Sequence, residues 1–170
     1  MIAGPATARK HGFAPVFRAD AKVLVLGSLP GDASIAAAQY YAHPRNLFWQ
    51  LIGAVIDQPQ LPQRTYDERL ACLLDAGIAL WDAAVSAERS GSLDTAMRAA
   101  LPAPLADFAA TLPGLHAAAF NGKKSASLAR PQLSGSSLAL VDLPSSSPAH
   151  AAMSLAQKQE TWLQLRKFLR

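Results

Sequence analysis

Cysteine is nearly absent from this chain of 170 residues: Cys72 stands alone. No internal disulfide can form, and the chain's own sulfur cannot supply an iron–sulfur cluster or a thiolate-rich zinc site. Charge is scarce as well. Only 16% of residues are Asp, Glu, Lys or Arg against 51% hydrophobic, so there is apolar surface enough to offset chain ordering, and a charge-extended disordered tail is excluded. No stretch reaches the roughly 20 apolar residues of a membrane-spanning helix. The opening MIAGPATARKHGFAPVF lacks the apolar run of a secretory signal, so a soluble, cytoplasmic protein is expected. Lys and Arg number 16 against 12 acidic residues, a net charge of +4, which permits a polyanionic partner without requiring one. At 18.0 kDa the chain has the size of one ordinary domain, and residues 1–170 are read as a single unit.

What is present is a repeated buried-strand pattern. Residues 22–27 (KVLVLG) form a short apolar, β-branched run ending in glycine, as strands buried on both faces do. Similar runs lie at 78–81 (IALW), 116–120 (HAAAF) and 138–143 (LALVDL), each after a helix-like stretch. Helices are expected over 46–56, over 65–76 with Thr65 as N-cap, and over 154–169, where Ser154 and Gln157 form a capping box. In the last, Leu155, Trp162, Leu165 and Leu169 form one stripe. The expected fold is α/β: three layers, α/β/α, around a central four-stranded parallel sheet. Such sheets bind ligands beyond the C-terminal ends of their strands. The segments there, read as loops, are 27–34, 81–94, 121–125 and 144–150.

These segments, and residues 40–49 ahead of a helix, could carry chemistry. Gly27, Ser28, Leu29, Pro30 and Gly31 follow a strand but match neither the dinucleotide fingerprint nor a Walker loop, so a nucleotide cofactor is not expected. Residues 40–49 (YYAHPRNLFW) pack aromatic faces, an Arg and an Asn ahead of a helix, the group types that stack on and read an extruded base. Asn46 could equally cap that helix. Asn121, before Gly122, has the turn-forming reading as well as a base-reading one. Residues 144–150 (PSSSPAH) read either as a Ser-rich linker or as a stiff donor-rich loop against a phosphate backbone; without a G-x-S-x-G elbow, a serine hydrolase is disfavoured. Asp82, Glu88 and Arg89 read as a solvated loop, and Lys123 and Lys124 either as phosphate contacts or as surface charge.

Taken in order, the strand with GSLPG, then YYAHPRNLFW, LWDAAVSAERSGSLD, FNGKK and LPSSSPAH resemble the uracil-DNA glycosylase superfamily, specifically its hypoxanthine-DNA (deoxyinosine) glycosylase branch, over residues 13–150. The single cysteine excludes the iron–sulfur branches. The resemblance implies that Gly27, Ser28, Leu29, Pro30 and Gly31 line the base pocket, that Tyr41 stacks on the flipped base, and that Asn121 reads its edge. Many branches carry a water-activating Asp or Asn where this chain has Leu29; in the hypoxanthine branch that role passes to the residue matching Asn46. The resemblance further places Ser145, Ser146, Ser147 and His150 against DNA, and Arg45, Lys123 and Lys124 are read beside them as cations for its phosphates. His150 stands where relatives often have Asn, either touching DNA or capping the loop. The implied reaction is hydrolysis of the N-glycosidic bond of a deaminated base, with no metal, no cofactor and no lysine nucleophile, on double-stranded DNA carrying a damaged or mismatched base, by a monomer. The alternatives are a uracil or mismatch-specific glycosylase and a non-catalytic lesion-binding module.

Overall fold

The computed structural model describes residues 8–170; the expectation for residues 1–7 lies outside them. Four buried runs pair as a parallel sheet in the order β3-β2-β6-β7. These strands are β2 (Val23–Gly27), β3 (Ile78–Asp82), β6 (Ala117–Asn121) and β7 (Ala139–Leu143). Every residue of β2, β3 and β6 is buried, as their apolar composition requires when helices cover both faces, and the burial extends to the polar ends Asp82 and Asn121.

The period of two divides these strands between two cores. Val23, Val25, Ile78, Leu80, Ala117, Ala119, Val141 and Leu143 point to one face, where they meet Phe48, Leu51, Ile52 and Val55 of α2 (Phe48–Val55), Leu73 of α3 (Tyr66–Asp75) and Trp162 of α6 (Leu155–Trp162). Leu24, Leu26, Ala79, Trp81, Ala118 and Phe120 point to the other, against Leu105 of α4 (Leu105–Ala110) and Ala129 and Leu133 of α5 (Lys123–Leu133). The three-layer α/β/α architecture is as the sequence predicts. The register sets the floor of the site: Gly27 lies opposite Asp82, Phe120 beside Leu26, and Asn121 opposite Leu143, so Asp82, Gly27, Asn121 and Leu143 end the strands side by side.

Three expectations need correction. Residues 81–94 are not a plain loop: after β3 the chain enters β4 (Ala84–Glu88), which pairs antiparallel with β1 (Arg9–His11) and β5 (Arg98–Pro102) as a second, three-stranded sheet. Its strands are short and partly exposed, so no buried run announces them; their stability comes from pairing between distant segments. The helix expected from 46 starts at Phe48, because Asn46 and Leu47 form the turn that enters it. The helix expected over 154–169 is α-helical only to Trp162 and continues as a 3₁₀ segment, Leu163–Phe168. Trp162 and Leu165 are buried as the stripe predicts, whereas Leu155 overhangs the core at the helix start and is 40% exposed. The caps at Thr65 and Ser154 form, the latter with the reciprocal Gln157 bond.

Candidate active site

Beyond the C-terminal strand ends lies an open cleft of about 1420 Å³, more than the roughly 300–1,000 Å³ of a typical small-molecule site and wide enough for a nucleotide with its backbone. Its walls come from the Gly27 to Gly31 turn, the Tyr41 to Asn46 segment, Asp82, Asn121 and the loop from Pro144 to His150.

Tyr41 sits in the left-handed region (φ 53°), an uncommon conformation for an aromatic residue. Neighbours hold it there: Trp49 Nε1 donates to its carbonyl at 3.2 Å, Ala42 N–H donates to Ser34 Oγ at 3.1 Å, and its ring stacks on buried Phe48 at 3.9 Å and 14°. With one face covered by Phe48, the ring is a backed platform at the cleft wall. Its hydroxyl is buried and makes no well-formed hydrogen bond; burial first and then the nearby Asp82 carboxyl raise its pKa, against the neighbouring Asn121 amide, keeping it protonated. The N-cap position of α2 is Leu47, not Asn46 as the sequence allowed; Asn46, one residue earlier, accepts the Phe48 N–H at its Oδ1 at 2.9 Å in an Asx turn, so a hold on the helix start and a place on the cleft wall coexist in one side chain.

The Asn121 amide is anchored to the opposite loop. Ser146 N–H donates to Asn121 Oδ1 and Asn121 Nδ2 donates to Ser146 Oγ, both at 2.9 Å. Because a backbone N–H can only donate, this pair decides which end of the amide is oxygen, leaving one Nδ2 hydrogen and one Oδ1 lone pair. Gly122, at φ 99°, lets the chain turn into α5 with Ser145 so near that a Cβ would stand 3.1 Å from the Ser145 Cβ. Ser146 is 1% exposed, which withdraws it from the expected phosphate contacts: its hydroxyl serves Asn121. Ser145 and Ser147 remain partly exposed, their hydroxyls accepting the Ser147 and Ala149 N–H groups. The loop is also tied to α2, through Leu47 N–H to Ser146 O, and to α6, where buried Lys158 donates to the Ser145 and His150 carbonyls at 2.7 Å each. Burial lowers the Lys158 pKa. His150 Nε2 is buried without a partner.

Leu29 lines the cleft with the rest of its turn and packs with Ala84, Ala87 and Met97 against the small sheet. The turn around it is braced by Ser28 Oγ donating to Asp94 at 2.6 Å and by the Arg89 guanidinium donating to the Pro30 and Gly91 carbonyls. Arg89 is 1% and Asp82 4% exposed, correcting the solvated-loop reading of both; Glu88 is exposed. Burial and the Asp94 charge push the Asp82 carboxyl up to about 7, with Arg89 opposing. Lys123 and Lys124 open α5 at the cleft rim, and Arg45 is exposed outside the cleft lining. Sequence reasoning missed Lys158 and the brace from Arg89 and Asp94. Nothing local marks a lysine in a polar helix or an arginine after a short strand as buried.

Known proteins match this arrangement over most of the chain. The profile described as "Uracil DNA glycosylase superfamily" matches residues 14–166. A protein named hypoxanthine DNA glycosylase from Methanosarcina acetivorans is 34% identical over 151 residues, covering 89% of this chain and 94% of its own. One of the same name from Methanosarcina barkeri is 40% identical over 117 residues, 69% of this chain and 73% of its own. The solution NMR structure of a protein from Methanosarcina acetivorans, described as a candidate uracil DNA glycosylase, superposes with a TM-score of 0.85 at 32% identity, covering 96% of this chain and all of that one.

Proposed function

The chain belongs to the uracil DNA glycosylase superfamily, and from that premise we propose that it removes hypoxanthine from DNA by hydrolysing the bond between the base and C1′ of its deoxyribose. The observation that carries this reading is the anchored Asn121 amide. Its remaining Nδ2 hydrogen suits the O6 acceptor of hypoxanthine and its remaining Oδ1 lone pair suits N1–H; adenine presents the opposite order and is rejected by an amide that cannot turn. The names of the two Methanosarcina relatives agree with it.

In this reading the base is extruded into the cleft at a cost of a few kcal/mol, least for a mispaired nucleotide, and stacks on the free face of Tyr41. Gly27, Ser28, Pro30 and Gly31 form the pocket floor, with Leu29 as its apolar support. Asn46, held by the Phe48 N–H, uses its second Oδ1 lone pair to orient the attacking water. Arg45, Lys123, Lys124, Ser145, Ser147 and the backbone around His150 meet the DNA phosphates. Residues 1–170 act as one catalytic domain, a monomer in the cytoplasm, without metal, cofactor or strand-cleaving activity.

Uracil is the second reading, because its O4 and N3–H repeat the acceptor and donor order that Asn121 accommodates. Single-turnover base release from duplexes carrying hypoxanthine, uracil, xanthine or mismatched thymine decides between them. Release of hypoxanthine well ahead of the other bases is expected. Faster release of uracil would replace the substrate, and tight lesion binding without release of any base would reduce the protein to a binding module.

A further inference from the structure

Asp82 ends β3 level with Gly27, lines the cleft and is 4% exposed. Its Oδ2 is buried without a hydrogen-bond partner, as is the Tyr41 hydroxyl. The two side chains converge over Gly27: a Cβ there would stand 2.5 Å from Asp82 Oδ1 and 2.9 Å from Tyr41 Oη, so only glycine leaves this space open. An unpaired buried carboxylate is costly, and the cost falls when it holds a proton. The groups acting on it are Asp94 and Arg89 from the segment after β4, and Tyr40 and Tyr41 from the segment after α1 (Asp32–Ala37). Arg89 spends hydrogen bonds on the Pro30 and Gly91 carbonyls and makes no ion pair with Asp82. Both tyrosine pKa values are raised, so neither competes with Asp82 as an acid. The carboxyl titrates at about 7, which leaves it protonated in a large share of molecules at neutral pH, with an O–H to give.

We propose that Asp82 is a catalytic acid that delivers its proton to N7 of the flipped purine as the C1′–N9 bond breaks. The inference rests on the hypoxanthine reading. The bond's electron pair passes into the purine ring, N7 takes the proton from the Asp82 carboxyl, and neutral hypoxanthine leaves. Water adds its oxygen to C1′ of the oxocarbenium, and the proton it sheds restores the carboxyl through solvent. The balance is one water consumed, one base and one abasic site formed. Uracil has no basic ring nitrogen corresponding to N7, so this acid favours purines over pyrimidines.

The test measures single-turnover base release by the full chain between about pH 5 and 9, from duplexes carrying 2′-deoxyinosine or 7-deaza-2′-deoxyinosine, in which a C–H replaces N7. The wild-type rate on deoxyinosine should fall as the pH rises through about 7, and that descending limb should be missing on the 7-deaza analogue. Asp82→Asn, which keeps the shape, should lower release of hypoxanthine by about 10²–10⁴-fold and lose the limb, with lesion binding retained. A limb that persists on the analogue overturns the proposal without relying on any variant, and so does Asp82→Asn at the wild-type rate. If the wild type releases no hypoxanthine, the substrate reading falls and takes this inference with it; if it does and Asp82→Asn does too, only the inference falls.

Discussion

Asn46 combines two duties in one amide: its Oδ1 holds the first turn of α2 through the Phe48 N–H while the side chain lies on the cleft wall. The duties separate in measurement. Asn46→Ala should cost about 1 kcal/mol of stability from the lost hydrogen bond to the Phe48 N–H, read as a lowered Tm. If it also orients water, single-turnover base release should fall by the equivalent of about 2.7–4 kcal/mol, the size of a lost transition-state hydrogen bond. A lowered Tm with an unchanged rate would leave Asn46 a structural residue at the helix start alone. Tyr41, Asn46 and Asn121 could be named from the sequence because they stand in motifs that resemble the superfamily's, and the structure brings all three to the cleft wall. Asp82 was not: in the sequence it is one carboxylate after an apolar run, and its raised pKa comes first from burial and then from the Asp94 charge, against Arg89, which the fold alone brings about.

At the scale of elements, the loop from Pro144 to His150 is shaped less by its own serines than by what grips it. Asn121 of β6 holds Ser146, Trp162 Nε1 of α6 donates to the Pro144 carbonyl at 3.0 Å, and Lys158 of the same helix binds the carbonyls of Ser145 and His150. Lys158→Met keeps the aliphatic stem and removes the donor, leaving two carbonyls without their partner. It should lower stability by about 1–3 kcal/mol and weaken binding of lesion and undamaged duplexes alike, because a loosened loop loses backbone contacts that carry no base information. Thermal melting and paired binding titrations check both effects. Normal DNA binding at a lowered Tm would show the staple to be a matter of stability only. The capping box at Ser154 and the N-cap at Thr65 were readable because caps are local; the Lys158 bridge spans residues that meet only when α6 packs beside β7.

For the whole molecule, the parallel sheet delivers Asp82, Gly27 and Asn121 to one edge, and the basic start of α5 stands at the same rim. If Lys123 and Lys124 meet phosphates there, replacing either with alanine should reduce the slope of log affinity against log salt by about one unit, with little change in preference between lesion and normal duplex. An unchanged slope would make that lysine ordinary surface charge. The sequence by itself determined the α/β class, the four parallel strands and the loops that form the cleft, because strands buried on both faces must be continuously apolar and such sheets open at their C-terminal ends. Only the tertiary structure decided that residues 84–88 join a second sheet with residues near the N-terminal end, that Ser146 faces inward, that Leu29 packs against that second sheet, and that the Asp82 carboxyl is buried. Strand pairing between distant segments and the desolvation of a side chain depend on which surfaces meet, and no local pattern of residues encodes that meeting.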